Sequence, residues 1–325
     1  MRLILLLVVV LAASLALAVG FGETPLSAAQ YLRGLQDPGS AIGEILWTLR
    51  APRACAAAVV GAQLGLAGAV MQGLLRNPLA DPGVLGVSAF SALGASFVIA
   101  IGLAGLPGVV ELAAMAGALV AGGVVAALAA RLREPETLIL FGVALSALGG
   151  AATALVFNLS PSPITTSEVM NWLLGSTAGR DWRDIAATAA PTLLGAALCV
   201  YAAGGLSMLT LGEETAALSG LPMARLRAAA VAGAALLTGA AVAMAGVIGF
   251  VGLAAPHLVR GSVSDEPART LMPSALAGAV LLVLADLAAR VIPTPEELKL
   301  GVVTALLGAP MFAVLAWRAA RSWRT

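Results

Sequence analysis

Apolar runs of roughly twenty residues, broken by short clusters of charge, proline and glycine, recur from one end of the chain to the other. Runs of that length match a helix crossing a bilayer, whereas the strands of a membrane barrel alternate over about ten residues. The pattern predicts about ten spans, near 3–21, 53–75, 84–105, 109–130, 138–159, 185–203, 226–246, 247–260, 270–290 and 300–317. The expected fold class is an all-α polytopic membrane protein. The eighth span is the shortest. It is retained because "AGVIGFVGLAAPHLVR" carries Gly246, Gly249 and Gly252, small residues that suit a buried, closely packed helix. The first run also fits a secretory signal peptide, with Arg2 before it and small residues at Ala16 and Ala18, although it is longer than the roughly 7–15 apolar residues of such a segment.

The polar interruptions predict the connections. In "RNPLADPGVLG", residues 76–86, Pro78 disfavours helix at Asn77, and Asp81 followed by Pro82 reads as the N-cap and first residue of the third span. The segment 204–225 is too short and polar to cross the bilayer and reads as a cytoplasmic helix over 211–219. Thr210 with Glu213 fits a capping box, and Gly220 before Pro222 fits a helix stop. Its apolar Leu211, Ala217, Leu218 and Leu221 leave two uses open, packing on its own bundle or docking on a cytosolic partner. No linker long enough to separate soluble domains occurs, so residues 1–325 read as one membrane domain. Spans two to five and seven to ten run in opposite directions, as inverted repeats do, and "GAQLGLAGAVMQGLL" faintly echoes "GAALLTGAAVAMAGV".

Composition agrees with the pattern: 60% hydrophobic and 11% charged residues, with a mean hydropathy of +0.99. A net charge of +1 argues against nucleic acid as a partner, so charge matters by position. With both termini cytoplasmic, 11 of the 18 basic residues fall inside. Arg50, Arg53 and Arg290 fall outside, where snorkelling to headgroups and pairing with an acidic partner are both open readings. Arg50 and Arg53 are three apart and are expected on one helix face. Asp286 lies one turn before Arg290 and is expected to pair with it, which weakens any proton-carrying role. Glu111 is placed near the outer end of the fourth span, and His257 in a structural hydrogen bond. Cys55 and Cys199 read as small core residues. No metal cluster, catalytic constellation, cofactor motif or phosphate-binding glycine loop is found, so the chain is not expected to be an enzyme.

Taken together, "LRAPR", "GAVMQGLLRNPLADPGVLGVS", "LGEETAALSGLP", "GVIGFVGLAAPHLVR", "LADLAAR" and "LKLGVVTALLGAPMF" resemble, in order and spacing, the FecCD-type permease family. These are the membrane subunits of ABC importers for ferric siderophores, haem and cobalamin. The resemblance implies the type II permease fold of ten helices, in the cytoplasmic (inner) membrane of a bacterium. It also implies a homodimer surrounded by membrane lipids, two cytosolic ATPase subunits below it, and a substrate-binding protein above. Arg50, Arg53 and Arg290 match positions that receive the binding protein's glutamates. Leu211, Gly212, Glu213, Glu214, Ala217, Leu218, Gly220, Leu221 and Pro222 match the ATPase-coupling segment. Asn77, Pro78 and Leu79 match a cytoplasmic gate, and Pro135 and Glu136 stand where a second gate carries small hydroxyl residues. A ferric chelate, the family's commonest cargo, is the first expectation, with haem or cobalamin as alternatives. An ion-coupled secondary transporter is the rival class, which inverted repeats alone would permit.

Overall fold

The computed structural model describes residues 2–22, 25–131, 135–160, 162–263, 266–294 and 296–322. Fourteen α-helices follow one another: α1 (Arg2–Gly20), α2 (Ala28–Gln36), α3 (Ala41–Glu44), α4 (Ala51–Leu75), α5 (Val87–Ala100), α6 (Val109–Arg131), α7 (Pro135–Asn158), α8 (Pro163–Leu173), α9 (Trp182–Leu209), α10 (Glu213–Leu218), α11 (Met223–Ala245), α12 (Val251–Arg260), α13 (Pro267–Val291) and α14 (Leu300–Ser322). A π-helical stretch, Ile45–Arg50, joins α3 to α4, and a 3-10 turn, Pro82–Leu85, precedes α5. The chain is all-α, and ten of these helices fall on the ten apolar runs. Among the described residues, seven stretches are long and apolar enough to cross a membrane, whereas α5, α12 and the apolar part of α14 (Leu300–Val314) are shorter.

Helices α4, α11 and α13 form the buried centre, and α1 and α7 the most exposed flanks. Helix α4 packs on α13 as α11 packs on α6, and α5 packs on α6 as α12 packs on α13. Pairing α4 with α11, α5 with α12 and α6 with α13 therefore maps one half onto the other, as an inverted repeat requires. The sequence echo is slightly out of step with this symmetry. Gly61 of α4 meets Gly278 of α13, whereas its aligned partner Gly233 meets Gly195 and Cys199 of α9. The face of α11 turned to α6 carries Ala235 and Gly239 instead, against Gly122 and Ala118.

Backbones touch where α4 crosses its neighbours. A Cβ on Gly61 would strike the Gly278 carbonyl. Lipid offers no hydrophobic drive for helix association, so such small-residue crossings carry the packing. Replacing Gly61 with valine is expected to cost about 1–3 kcal/mol or more through overpacking. Gly123→Val is the control, because a Cβ there meets no other atom within 4 Å. Thermal unfolding in detergent should separate the two variants clearly.

The eighth span needs correction. Helix starts only at Val251, and residues 246–250 are non-helical. Gly246 leaves the helical region at φ +71°, Phe250 sits at φ +67°, and the Ala245 carbonyl accepts from Ser176 N at 2.8 Å. Gly246 thus lets the chain turn against Trp172 and Gly175, and of the three glycines Gly252 is the one packed inside a helix, against Pro82 and Leu64. Irregular backbone amid a membrane bundle is tolerated where protein covers it. A positive φ on a residue as bulky as Phe250 is a true outlier, held by its surroundings.

Candidate functional site

One end of the bundle gathers the three arginines expected to meet a partner. Arg50, at the end of the π-helical stretch, turns toward the C-terminus of α1. Its Nη1 donates to Val19 O at 3.3 Å, Gly20 O at 3.1 Å and Tyr31 Oη at 3.3 Å. A cation there complements the helix dipole and its unpaired carbonyls. Arg53 instead turns to α13, so the two are anchored on different helices. They nevertheless line one cavity of about 360 Å³, together with Arg290 and Arg180.

Asp286, 1% exposed, holds two of those arginines from behind the lining. It accepts from Arg53 Nε at 3.0 Å, Arg53 Nη2 at 2.8 Å and Thr177 Oγ1 at 2.7 Å, and its Oδ2 lies 3.2 Å from Arg290 Nε. The predicted Asp286–Arg290 pair is therefore present, inside a larger network. Glu297, just before α14, takes the other edge of Arg53 through Nη1 at 3.1 Å and through Nη2. Arg290 Nη1 donates to Phe21 O at 3.3 Å, while its buried Nη2 has no hydrogen-bond partner among the described residues. Nearby, Glu111 pairs with Arg180 at 2.8 Å. Thr177 and Glu297 were not anticipated, since no periodicity links them to Arg53. The one usable signal was an acid close before the last span.

At the opposite end, α4 stops on Arg76 in the left-handed region at φ 49°. Asn77 N closes on Gln72 O at 3.2 Å, and Asn77 Oδ1 accepts from Leu79 N at 2.9 Å. Asp81 Oδ1 accepts from Gly83 N at 2.7 Å, so it caps the 3-10 turn and not α5 itself. Desolvation pushes the Asp81 carboxyl above the usual carboxylate range, and the Gly83 amide pulls it back. Asn77 and Pro78 line a cavity of about 320 Å³ with Gln72, Arg76, Thr210 and Arg260. Leu79 is half-buried beside them. Pro135 and Glu136 open α7, and their side chains lie outside the described residues.

The segment expected to couple to an ATPase differs from the sequence reading in two ways. Residues 204–209 belong to α9, and the short helix runs only over Glu213–Leu218. Thr210 does not form a capping box: Gly212 is the N-cap, and Thr210 Oγ1 donates back to Ser207 O at 2.7 Å. The expected stop is present, with Gly220 at φ +82° and Leu221 N bonded to Ala216 O at 3.2 Å. Ala216 packs into the core, with Leu221 against it, while Leu211 and Leu218 are 71% and 89% exposed. Glu214, Ala217 and Pro222 are exposed as well. Glu213 faces inward, 2.6 Å from Arg227 and 3.7 Å from Arg76. One carboxylate thus ties α10 to the turn that holds Asn77. Among the described residues, no group of three His, Cys, Asp or Glu side chains could hold a metal ion.

The arrangement has close parallels among known proteins. The model of the FecCD transport family matches residues 6–318. The vitamin B12 import system permease protein BtuC of Vibrio cholerae is 43% identical over 277 residues, 83% of this chain and 81% of that protein. Its namesake in Salmonella typhimurium is 41% identical over 288 residues, 87% of this chain and 86% of that protein. An inward-facing structure of a protein described as a metal-chelate type ABC transporter superposes with a TM-score of 0.87 at 30% identity, covering 98% of this chain and 99% of the other.

Proposed function

Because this chain belongs to the FecCD transport family, we propose that it is the permease subunit of an ATP-driven importer for cobalamin or a close corrinoid. The observation that carries the permease reading is the pair of partner-ready surfaces at opposite ends of one bundle. An arginine-lined cavity opens at one end, and at the other the exposed Leu211 and Leu218 flank a short helix tied to the gate turn. The first expectation of a ferric chelate gives way, because two relatives sharing more than 40% identity are vitamin B12 permeases by name.

In this reading two copies pair in the bacterial inner membrane, with both termini cytoplasmic. Two ATPase subunits receive Leu211, Ala217 and Leu218, and acidic side chains of the binding protein enter the cavity of Arg50, Arg53 and Arg290. Docking and nucleotide-driven closure favour different openings of the permease pair, so each partner shifts a two-state equilibrium. Glu213 passes the motion of α10 to Arg76 and hence to Asn77. Hydrolysis is supplied by the ATPase subunits. The secondary-transporter rival would need a free intramembrane acid, and Asp286 is instead locked by two arginines and a threonine.

Reconstitution into proteoliposomes with the cognate ATPase and binding protein tests the proposal. Uptake of labelled cobalamin is expected to require both partners and ATP. Uptake driven by an ion gradient without the ATPase would overturn the importer reading, and uptake of a ferric hydroxamate but not cobalamin would overturn the cargo. Alanine at the acids on the binding protein's docking face should weaken docking at least about 10-fold, because a desolvated charge pair loses one member. That change leaves the permease untouched, so loss of affinity cannot be blamed on its folding.

A further inference from the structure

Arg53 meets its two carboxylates unequally. A guanidinium offers two edges for bidentate pairing with a carboxylate. Asp286 holds the Nε/Nη2 edge, with Nε at 3.0 Å and Nη2 at 2.8 Å, and Glu297 holds the Nη1/Nη2 edge. An acid arriving from a partner therefore finds neither edge open. Asp286 is buried on α13 and also holds Thr177 and Arg290. Glu297 is 24% exposed and stands on the connection between Val291, the last residue of α13, and Leu300, the first of α14. Of the two, Glu297 is the one that can yield.

Resting on the docking reading above, we propose that Glu297 is an internal stand-in for the partner's carboxylate. The binding protein's acid displaces it from Arg53, and its release frees the outer end of α14. A second observation supports the exchange. Arg290 lines the same cavity, and its buried Nη2 lacks a hydrogen-bond partner among the described residues. An incoming carboxylate that also reaches Arg290 satisfies a donor that Glu297 leaves orphaned, while Glu297 regains water. Such a buried orphan is costly, so its satisfaction favours the exchange. The connection matters because α14 is held at its start by Leu300 N to Gly175 O at 2.9 Å and Gly301 N to Leu174 O at 3.1 Å, right beside Glu297. Losing the Arg53 anchor leaves these backbone bonds and the core packing of Leu300 to hold the start of α14, while the connection before it is released. Docking thereby becomes a change in how α14 is seated.

The test uses the full permease–ATPase complex in nanodiscs. Glu297→Gln keeps the size and removes the competing charge. It is expected to tighten binding-protein docking about 10-fold, equivalent to about 1.4 kcal/mol. Basal ATP hydrolysis without the binding protein is expected to rise several-fold, because α14 is released without a partner. Unchanged or weaker docking would overturn the exchange, and tighter docking with unchanged basal hydrolysis would overturn the release of α14. If the glutamine variant fails to assemble, Glu297→Asp, which keeps the charge but shortens the reach, must shift both readouts the same way, or the proposal falls. Alanine at the binding protein's acids separates the two layers. If it weakens docking while Glu297→Gln does nothing, only the exchange fails, whereas no effect on docking removes the reading beneath it.

Discussion

Asp286→Ala is expected to leave little assembled permease, with a fall in unfolding temperature on the order of 10 °C for what survives. The reason is the asymmetry of buried ion pairs. Removing one member strands the others, a loss of about 3–5 kcal/mol, whereas apolar replacement of the whole group is often neutral. Here one carboxylate serves Arg53, Arg290 and Thr177, and all three would lose it together. Arg290 is affected most, since its Nη2 is already without a partner among the described residues. Asp286→Asn should be milder, because an amide oxygen still accepts from Thr177. Combining Asp286→Leu with Arg53→Met and Arg290→Met should recover part of the thermal stability while abolishing docking. Unfolding of Asp286→Ala in detergent within about 2 °C of the parent chain would contradict a structural hub, since at least about 3 kcal/mol is at stake.

That network also marks where sequence reasoning stops. The bilayer imposes a hydropathy rule on every spanning helix, so the helices were legible down to their order, and α4 and α13 begin and end within a few residues of the predicted spans. The same rule is silent about who meets whom across the bundle. Arg53 and Glu297 are 244 positions apart, and no periodicity relates them. The Asp286–Arg290 pair was legible because four residues is one helical turn. Glycine proved ambiguous: at 246 it lets the chain leave the helix, and at 252 it packs inside one, and hydropathy cannot tell these apart. Thr210 misled for a related reason. Its hydroxyl can serve a following amide or a preceding carbonyl, and with α9 extending to Leu209 the carbonyl wins.

Leu218→Asp is expected to abolish coupled transport while leaving the folded permease intact. At 89% exposure the side chain contributes almost nothing to the bundle, so the unfolding temperature should not move. What it offers is apolar area for a partner. Leu218 ends α10 and Leu211 lies in the turn before it; the helix's other face is fixed by Ala216, and its end is locked by the Gly220 turn. A charge placed in that contact must be desolvated without a counter-ion, which costs several kcal/mol and corresponds to a loss of affinity of 100-fold or more, as an order-of-magnitude figure. ATP hydrolysis by the ATPase then continues at its uncoupled rate, unresponsive to the loaded binding protein. Glu213→Ala separates docking from transmission. It keeps the leucines but cuts the ties to Arg76 and Arg227, so the ATPase should still bind while substrate uptake falls. If the Leu218→Asp complex still hydrolyses ATP in step with uptake, α10 is not the coupling element. If Glu213→Ala transports normally, motion reaches Asn77 by some route other than the Arg76 turn.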